Sequence, residues 1–380
     1  MNRLKYFSVA LAALLFACNN EDNATTQTTQ NQQKALDALN AATAADFPGL
    51  SLTVYTPQEN FTLVSGKAKL PGTAMAATSL HYMQSIAKTF TAVAILKLKE
   101  QGHINLDANI GTYLPSSITS QLANGSSIKV RHLLNMTSGL PDYLENPEFL
   151  ADIQTSPLPM PSNQLLSYVY NRPAHFAPGT SAEYSNINYH LLALIIDNVT
   201  GAPHSTYIKN NIIIANRLAN TYYLPGSALN AAPAGTTASY ITGGTGFEDL
   251  TVFQFGVVKS LIGDDGIVAS TQDIATFYKK LLQDKTILTQ ATLNEMTTPI
   301  LSDGEPFYGM GLTYYKTQGG VAGIGHPGAG VGAASETYYF PSKNITIVLA
   351  TNVGTLLDSE KEEKFALLLK KLSAIIIDGQ

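Results

Sequence analysis

Apolar residues recur along this chain with two different periods, and the switches between them outline its elements. Lys34 to Ala45 carries leucines and alanines on one face at helical spacing and predicts a helix. Leu50 to Tyr55 and Asn60 to Ser65 are short β-rich runs separated by Thr56-Pro57-Gln58-Glu59, a hairpin pattern. Ser85 to Gln101 is the most helical stretch. Phe90, Val93, Ala94, Ile95, Leu96 and Leu98 make it apolar almost all round, which predicts a helix buried on every side and stopped by Gly102. From Ile104 to about Leu261, helical pieces alternate with Pro, Gly and Asn; examples are Asn163 to Tyr170, and Tyr189 to Val199 closed by Thr200-Gly201. Gln272 to Leu282 is amphipathic, with Ser270 or Thr271 placed to cap it. Gly309 to Tyr315, Gly332 to Phe340 and Ile345 to Thr351 read as strands between tight turns, and Glu360 to Ile377 as a closing helix.

Strands near both ends with helices between them predict an α+β layer built from both termini, with a mostly helical insertion. The expected division is 34–103 with 265–380 for the sheet domain and 104–264 for the helical one. Before these lies an address. Arg3 and Lys5 precede a short, largely apolar run from Tyr6 to Phe16, and Cys18 follows. Such a run is too short for the about 20 residues that a membrane-spanning helix needs, so residues 1–17 read as a signal peptide. Cys18 then stands where a bacterial lipoprotein signal has its lipidated cysteine. Residues 18–33 are too polar to pack and read as a tether. The expectation is an exported protein of the bacterial envelope, in the periplasm or on the outer-membrane surface, anchored by lipid.

Composition narrows the function classes. The chain has 23 Lys and Arg against 28 Asp and Glu, 13% charged residues and a formal charge of −5, without the basic stripe of a nucleic-acid binder. A single cysteine excludes an intramolecular disulfide framework and Cys-rich metal sites. With 380 residues there is ample core to enclose an active site.

Three short motifs carry candidate chemistry. Ser85-Ile86-Ala87-Lys88 opens the buried helix, and spacing of i and i+3 puts the amine beside the hydroxyl. A serine hydroxyl needs a base to become a nucleophile, and a lysine desolvated near other positive groups can serve as one. A second copy, Ser126-Ser127-Ile128-Lys129, lies in a turn with no apolar helix behind it and reads as solvated loop. Tyr184-Ser185-Asn186 precedes the helix that follows it, and His326-Pro327-Gly328 lies in the run Gly323 to Gly332, just before a predicted strand.

Ser-x-x-Lys, Tyr-x-Asn and a Lys/His-x-Gly triplet, in that order, are the active-site pattern of penicillin-recognising serine hydrolases. The chain resembles the class C β-lactamase-like family, and within it the secreted serine D-alanyl-D-alanine carboxypeptidases. Supporting stretches are Gly102 to Asp107, Val130 to Leu140, Pro178 to Asn186 and Gly263 to Ser270. The resemblance implies a β-lactamase/transpeptidase-like fold, an antiparallel sheet flanked by helices. It implies Ser85 as the acylated nucleophile and Lys88 as its activating partner. Tyr184 would pass protons to the leaving group, and Asn186 would hold the substrate amide and orient Lys88. His326 would replace the family's lysine, neutral or cationic, sharing proton work or attracting a substrate carboxylate. Backbone N–H groups of Ser85 and Ala329 would form an oxyanion hole, with Gly328 letting the strand edge approach. No metal or other cofactor is expected. The expected partners are a small-molecule or peptide substrate and the lipid anchor, with the chain acting as a monomer.

Departures from the pattern qualify the specificity. Pro327 and Ala329 stand where the similar carboxypeptidases carry hydroxyl residues that help hold a terminal carboxylate, and Met136 stands where many relatives have histidine. The carboxypeptidase reading therefore competes with a broad esterase or amidase, with a β-lactamase, and with a non-catalytic lipoprotein that binds wall fragments. The histidines at 81, 103, 132, 175, 190 and 204 read as structural or exposed, and Asp264-Asp265 lacks the further ligands of a calcium site.

Overall fold

The computed structural model describes residues 30–378 except Pro157 and Thr245. Cys18, the expected signal peptide at 1–17 and most of the expected tether at 18–33 lie outside the described residues. Helix α1 (Gln30–Ala45) begins four residues before the predicted start and takes up the end of the expected tether. Glutamine is a good helix former, and Gln33 donates to Asp37 one turn on (2.8 Å), which extends the helix beyond its apolar stripe.

The strands follow as β1 (Gly49–Tyr55), β2 (Asn60–Lys69), β3 (Thr73–Ala74) and β4 (Leu80–Tyr82). After a long helical stretch come β5 (Thr221–Tyr223), β6 (Tyr240–Gly243), β7 (Gly246–Asp249) and β8 (Ile267–Ser270). The last six are β9 (Ile300–Ser302), β10 (Glu305–Tyr308), β11 (Thr313–Lys316), β12 (Ala322–Ala329), β13 (Ala334–Phe340) and β14 (Ile345–Thr351). The main sheet has nine strands in the order β3-β2-β1-β14-β13-β12-β11-β10-β9, so β1 and β14, drawn from the two ends of the chain, lie side by side within it. Its pairings are antiparallel. β4, β8 and β5 make a smaller sheet.

β14 is buried along its whole length and β1 almost so, including Ser51 and Thr53, which alternate with the apolar residues of β1. The polar residues of β1 are satisfied by its neighbours: Thr53 Oγ1 lies 2.7 Å from Thr271 Oγ1, and Ser51 Oγ 2.9 Å from His81 Nε2. One sheet face packs Leu50, Leu52 and Leu349 against Leu39 of α1 and Phe365 and Leu369 of the carboxy-terminal helix. The other face meets the larger core around α2 (Ala87–Glu100), α3 (Ile187–Thr200), α4 (Thr251–Ser260) and α5 (Thr271–Tyr278). Helix α6 (Ser359–Ser373) closes the chain. No described helix is long and apolar enough to cross a membrane.

The buried central helix is as the pattern predicted. In α2 every residue from Ala87 to Leu96 is buried, and Gly102 at φ +78° terminates it. Ser270 caps α5, accepting the Asp273 N–H. Several strand boundaries differ, β2 running on to Lys69 beyond the predicted Ser65. The run Gly309 to Tyr315 is interrupted, because Gly311 turns at φ +73° against α2, where a Cβ would lie 2.7 Å from the Ala92 methyl. His326 does precede a strand, β13, as expected, but the glycine-rich run that carries it is itself strand β12. Glycines hid that strand by leaving no apolar signal, and they are there because neighbouring backbone comes too close for side chains.

Candidate active site

Strand β4 delivers the chain to Met83, and a 3₁₀ turn at Gln84–Ile86 precedes α2. Ser85 is therefore in the 3₁₀ turn that leads into α2, and Lys88, three residues on in the first turn of α2, reaches back to its hydroxyl. Gln84 enters the turn at φ +53°, a left-handed conformation costing a non-glycine residue about 1–2 kcal/mol. Packing holds it there. Gln84 is buried against Gly328 and Gly330, and a Cβ on Gly328 would lie 2.9 Å from that of Gln84. Ser335 Oγ donates to the Met83 carbonyl at 2.8 Å. Strands β12 and β13 thus clamp the turn that presents Ser85.

Lys88 is fully buried, with three acceptors around its ammonium: Ser85 Oγ at 3.0 Å, Asn186 Oδ1 at 2.7 Å and the Asp264 carbonyl at 3.0 Å. Burial pushes its pKa down, but Tyr184 and the carboxyls of Asp264 and Asp265 outweigh burial and hold it above the ordinary value. The resting lysine is an ammonium. This differs from the expectation of a ready neutral base, because the groups packed around it are acceptors and acids rather than cations. Burial raises the nearby carboxyls in turn, Asp264 to about 6 and Asp265 to about 7.

Tyr184 lies with its ring centre 5.0 Å from Lys88 Nζ. Burial raises its phenol, and interactions with Lys88 and Ser85 oppose that rise. Asn186 is the N-cap residue of α3, with its backbone N–H and its Nδ2 both donating to Asp142 Oδ2 (2.8 and 2.7 Å). Met136, at φ +61°, takes part in holding this loop: its Sδ accepts from the Ser185 N–H at 3.5 Å and from Asn188 Nδ2 at 3.3 Å.

His326 is buried across from Tyr184, with ring centres 6.2 Å apart. Its Nδ1 is 2.6 Å from the Pro327 carbonyl, which can only accept, so Nδ1 carries the proton. Nε2 then accepts from the Tyr308 hydroxyl at 2.9 Å. Burial, assisted by the Lys88 charge, lowers the imidazole pKa to about 3. Of the two forms open to His326, the geometry selects the neutral one. Residues 326–329 pair with β13 on one side, while β11 pairs with β12 only as far as Gly325. This leaves a strand edge beside Ser85.

Ser85, Tyr184, Asn186, His326, Gly328 and Ala329 line one cavity of about 860 Å³, and Lys88 lies just behind its wall. All the residues singled out in the three motifs thus converge. Phe149, Ile153, Phe253 and Val257 make much of the lining apolar. Asp142, Glu248, Glu336 and Glu362 also line it, and no lysine or arginine does among the described residues. The second Ser-x-x-Lys copy is elsewhere, with Ser126 and Ser127 exposed and Lys129 Nζ 3.7 Å from Asp107. Glu145, His175 and Glu183 could between them offer three metal-ligand atoms, but His175 already pairs with both acids (3.4 and 2.9 Å).

Sequence reasoning missed Asp142, the Asp264 carbonyl, Tyr308 and the strained Gln84. A backbone carbonyl leaves no trace in residue types. Asp142 and Tyr308 reach the site through partners distant in the chain, Asn186 and His326. The glycine-flanked Asp264 was visible, but as a possible calcium ligand rather than a lysine acceptor.

A buried amine against a cleft-facing hydroxyl, on a sheet drawn from both termini, is the arrangement of serine hydrolases of the Ser-x-x-Lys type. The chain matches the Beta-lactamase family over residues 30–370 and belongs to it. Among characterised relatives it is 31% identical to Protein flp of Staphylococcus aureus over 134 residues, which are 35% of this chain and 26% of that protein. It is 25% identical to Penicillin-binding protein 4* of Bacillus subtilis over 316 residues, 80% of this chain and 66% of that one. The chain thus spans about a quarter and about two thirds of these relatives. Among solved structures, a D-stereospecific amidohydrolase from Streptomyces sp. superposes with TM-score 0.76 and 28% identity, covering 91% of this chain and 98% of the other. The D-amino acid amidase of Ochrobactrum anthropi SV3 superposes with TM-score 0.80 at 22% identity, covering 92% and 99%; that likeness is one of fold.

Proposed function

We propose that this protein is a serine amidase or esterase that works through an acyl-enzyme on Ser85, on acyl donors whose leaving side carries no carboxylate. The observation that carries the reading is the Lys88–Ser85 contact of 3.0 Å at the wall of a cavity lined by carboxyls without a lysine or arginine. A free carboxylate entering such a cleft loses hydration and faces the carboxyls of Glu248 and Glu362, with no cationic side chain among the described residues lining the wall. His326, neutral with both nitrogens engaged, offers it no compensation, and neither Pro327 nor Ala329 has a hydroxyl to donate. Neutral or cationic amides and esters suit the lining. D-configured amino-acid amides are the first candidates, given the 28% identity to a D-stereospecific amidohydrolase.

In the proposed reaction, Ser85 Oγ attacks the carbonyl carbon while its proton passes to the Lys88–Tyr184 pair. For this, Lys88 must first give up one proton of its ammonium. Its two remaining N–H bonds then stay on Asn186 Oδ1 and the Asp264 carbonyl, and its lone pair faces Ser85. Tyr184 returns a proton to the leaving amine or alkoxide as the C–N or C–O bond breaks. Backbone N–H groups of Ser85 and Ala329 serve the oxyanion, each worth about 3 kcal/mol in the transition state. Water, deprotonated by the same pair, then frees the acid and restores Ser85.

A second reading, a D-alanyl-D-alanine carboxypeptidase, is favoured by the likeness to Penicillin-binding protein 4*. The leader-like residues before the described region support an envelope location for either. The test sets a D-amino-acid amide and a neutral nitrophenyl ester against a D-alanyl-D-alanine peptide, with Ser85→Ala as control. Faster turnover of the neutral donors, abolished in Ser85→Ala, is expected. Preference for the free-carboxylate peptide would transfer the assignment to the second reading, and activity retained in Ser85→Ala would end both.

A further inference from the structure

We infer that Asp142 is a positioning residue for the nucleophile, acting by fixing which way the Asn186 amide faces; this rests on the acyl-enzyme reading above. Asp142 is buried in the turn after Leu140 and makes no contact with Ser85 in the hydrogen-bond network. Its Oδ2 accepts from both the backbone N–H and Nδ2 of Asn186, while Oδ1 accepts from the Leu144 N–H at 3.0 Å. Burial raises the Asp142 carboxyl, while the three N–H donors converging on it and the nearby Lys88 charge favour its ionised form, whose charge-assisted bonds are about twice as strong as neutral ones.

The consequence lies at the far end of the Asn186 amide. With Nδ2 held by Asp142, Oδ1 must face Lys88 Nζ, 2.7 Å away. A flipped amide would set Oδ1 against the Asp142 carboxylate and two N–H donors against the ammonium. Both contacts are repulsive, so while Asp142 is ionised only one orientation is stable. That orientation matters most once Lys88 has lost a proton. An amine then has two N–H bonds and one lone pair. Two fixed acceptors, Asn186 Oδ1 and the Asp264 carbonyl, hold the N–H bonds, so the lone pair is directed at Ser85 Oγ. If Asn186 turned its Nδ2 toward Lys88, it would donate to that lone pair and divert it from the serine. Asp142 thus selects the productive rotamer of the base from two bonds away.

The test uses a fluorophosphonate probe, which labels activated serines without depending on the natural substrate. Labelling rate constants, with the labelled residue identified by peptide mass spectrometry, are measured for wild type, Asp142→Asn, Asn186→Ala and the double variant. Thermal unfolding is followed in parallel. Asp142→Asn keeps the shape but places an N–H2 group against donors. It is expected to slow labelling of Ser85 at least tenfold, whereas in the Asn186→Ala background it slows labelling less than twofold further. A purely structural role predicts losses that multiply in the double variant. Multiplying losses, or a folded Asp142→Asn labelled within twofold of wild type, would overturn the inference. If Asp142→Asn does not fold, Asp142→Ser enters the same cycle, and unfolding of both variants also overturns it, since Asp142 would then be a structural residue. Failure of wild-type Ser85 to label would instead defeat the acyl-enzyme reading itself.

Discussion

The Tyr308 hydroxyl donates to Nε2 of His326 at 2.9 Å, which leaves the imidazole no free nitrogen toward the cleft. In a buried ring lowered to about pKa 3, this keeps His326 neutral and in its Nδ1–H form through the physiological range. Long-range ¹H–¹⁵N spectra should show Nδ1 protonated and Nε2 unprotonated at neutral pH, with no titration of this ring down to about pH 5. A titration near the ordinary histidine value of about 6.5 would restore a cationic role and, with it, a place for a substrate carboxylate.

Lys88 gives the reaction its pH dependence. Its folded pKa is raised, and it must lose a proton to accept one from Ser85, so acylation by a neutral ester should accelerate with rising pH. The increase should continue past about pH 9, approaching roughly tenfold per unit where this ionisation limits the rate. Asp264 and Asp265, at about 6 and 7, ionise on the way up and hold the ammonium more firmly, which flattens the lower part of the profile. A plateau reached by pH 7 would mean that Lys88 is already neutral.

Gly328 is where strand edge and nucleophile turn meet. A methyl there would run into the Met83 carbonyl, lie 2.6 Å from Ser335 Oγ and 2.9 Å from Gln84 Cβ. Gly328→Ala should therefore displace β12 or the Ser85 turn by a fraction of an ångström to an ångström, a misplacement that costs on the order of 100-fold in kcat. Steady-state kinetics on the favoured ester or amide check this. Wild-type kcat in the variant would show that the close approach has no catalytic consequence.

Much of this site was legible in the residues alone, for a physical reason. An almost wholly apolar helix has only one plausible use for a lysine at its start, so Lys88 pointed to Ser85. The helix stops at Gly102 and Gly201 and the cap at Ser270 were equally readable, because each is decided by local backbone geometry. Strand β12 was not, because glycines selected for close backbone approach carry no hydrophobic period. The charge state of Lys88 was also hidden. It depends on Tyr184 and on Asp264 and Asp265, which the fold brings from about 100 and about 175 residues further along the chain to the buried end of the lysine.

Glu336 lies on β13 opposite Pro327, and its burial raises its carboxyl to about 8. A carboxyl that is protonated in the folded state and ionised in the unfolded chain contributes most below its unfolded value of about 4.5, and that contribution is lost as pH rises through about 8. Compared with Glu336→Gln, wild type should therefore lose roughly 2–4 kcal/mol of stability between about pH 5 and pH 8. Denaturant unfolding of both proteins across that range measures it. Parallel pH profiles would show that Glu336 is ionised in the folded protein.

The most direct measurement is of the covalent intermediate. Wild type mixed with excess nitrophenyl ester is quenched in acid during the first turnover, and its intact mass and peptides are analysed. The prediction is one acyl group per chain, on Ser85, formed in a burst and absent from Ser85→Ala. A first turnover without an adduct, or an adduct on any other residue, would contradict Ser85 as the nucleophile.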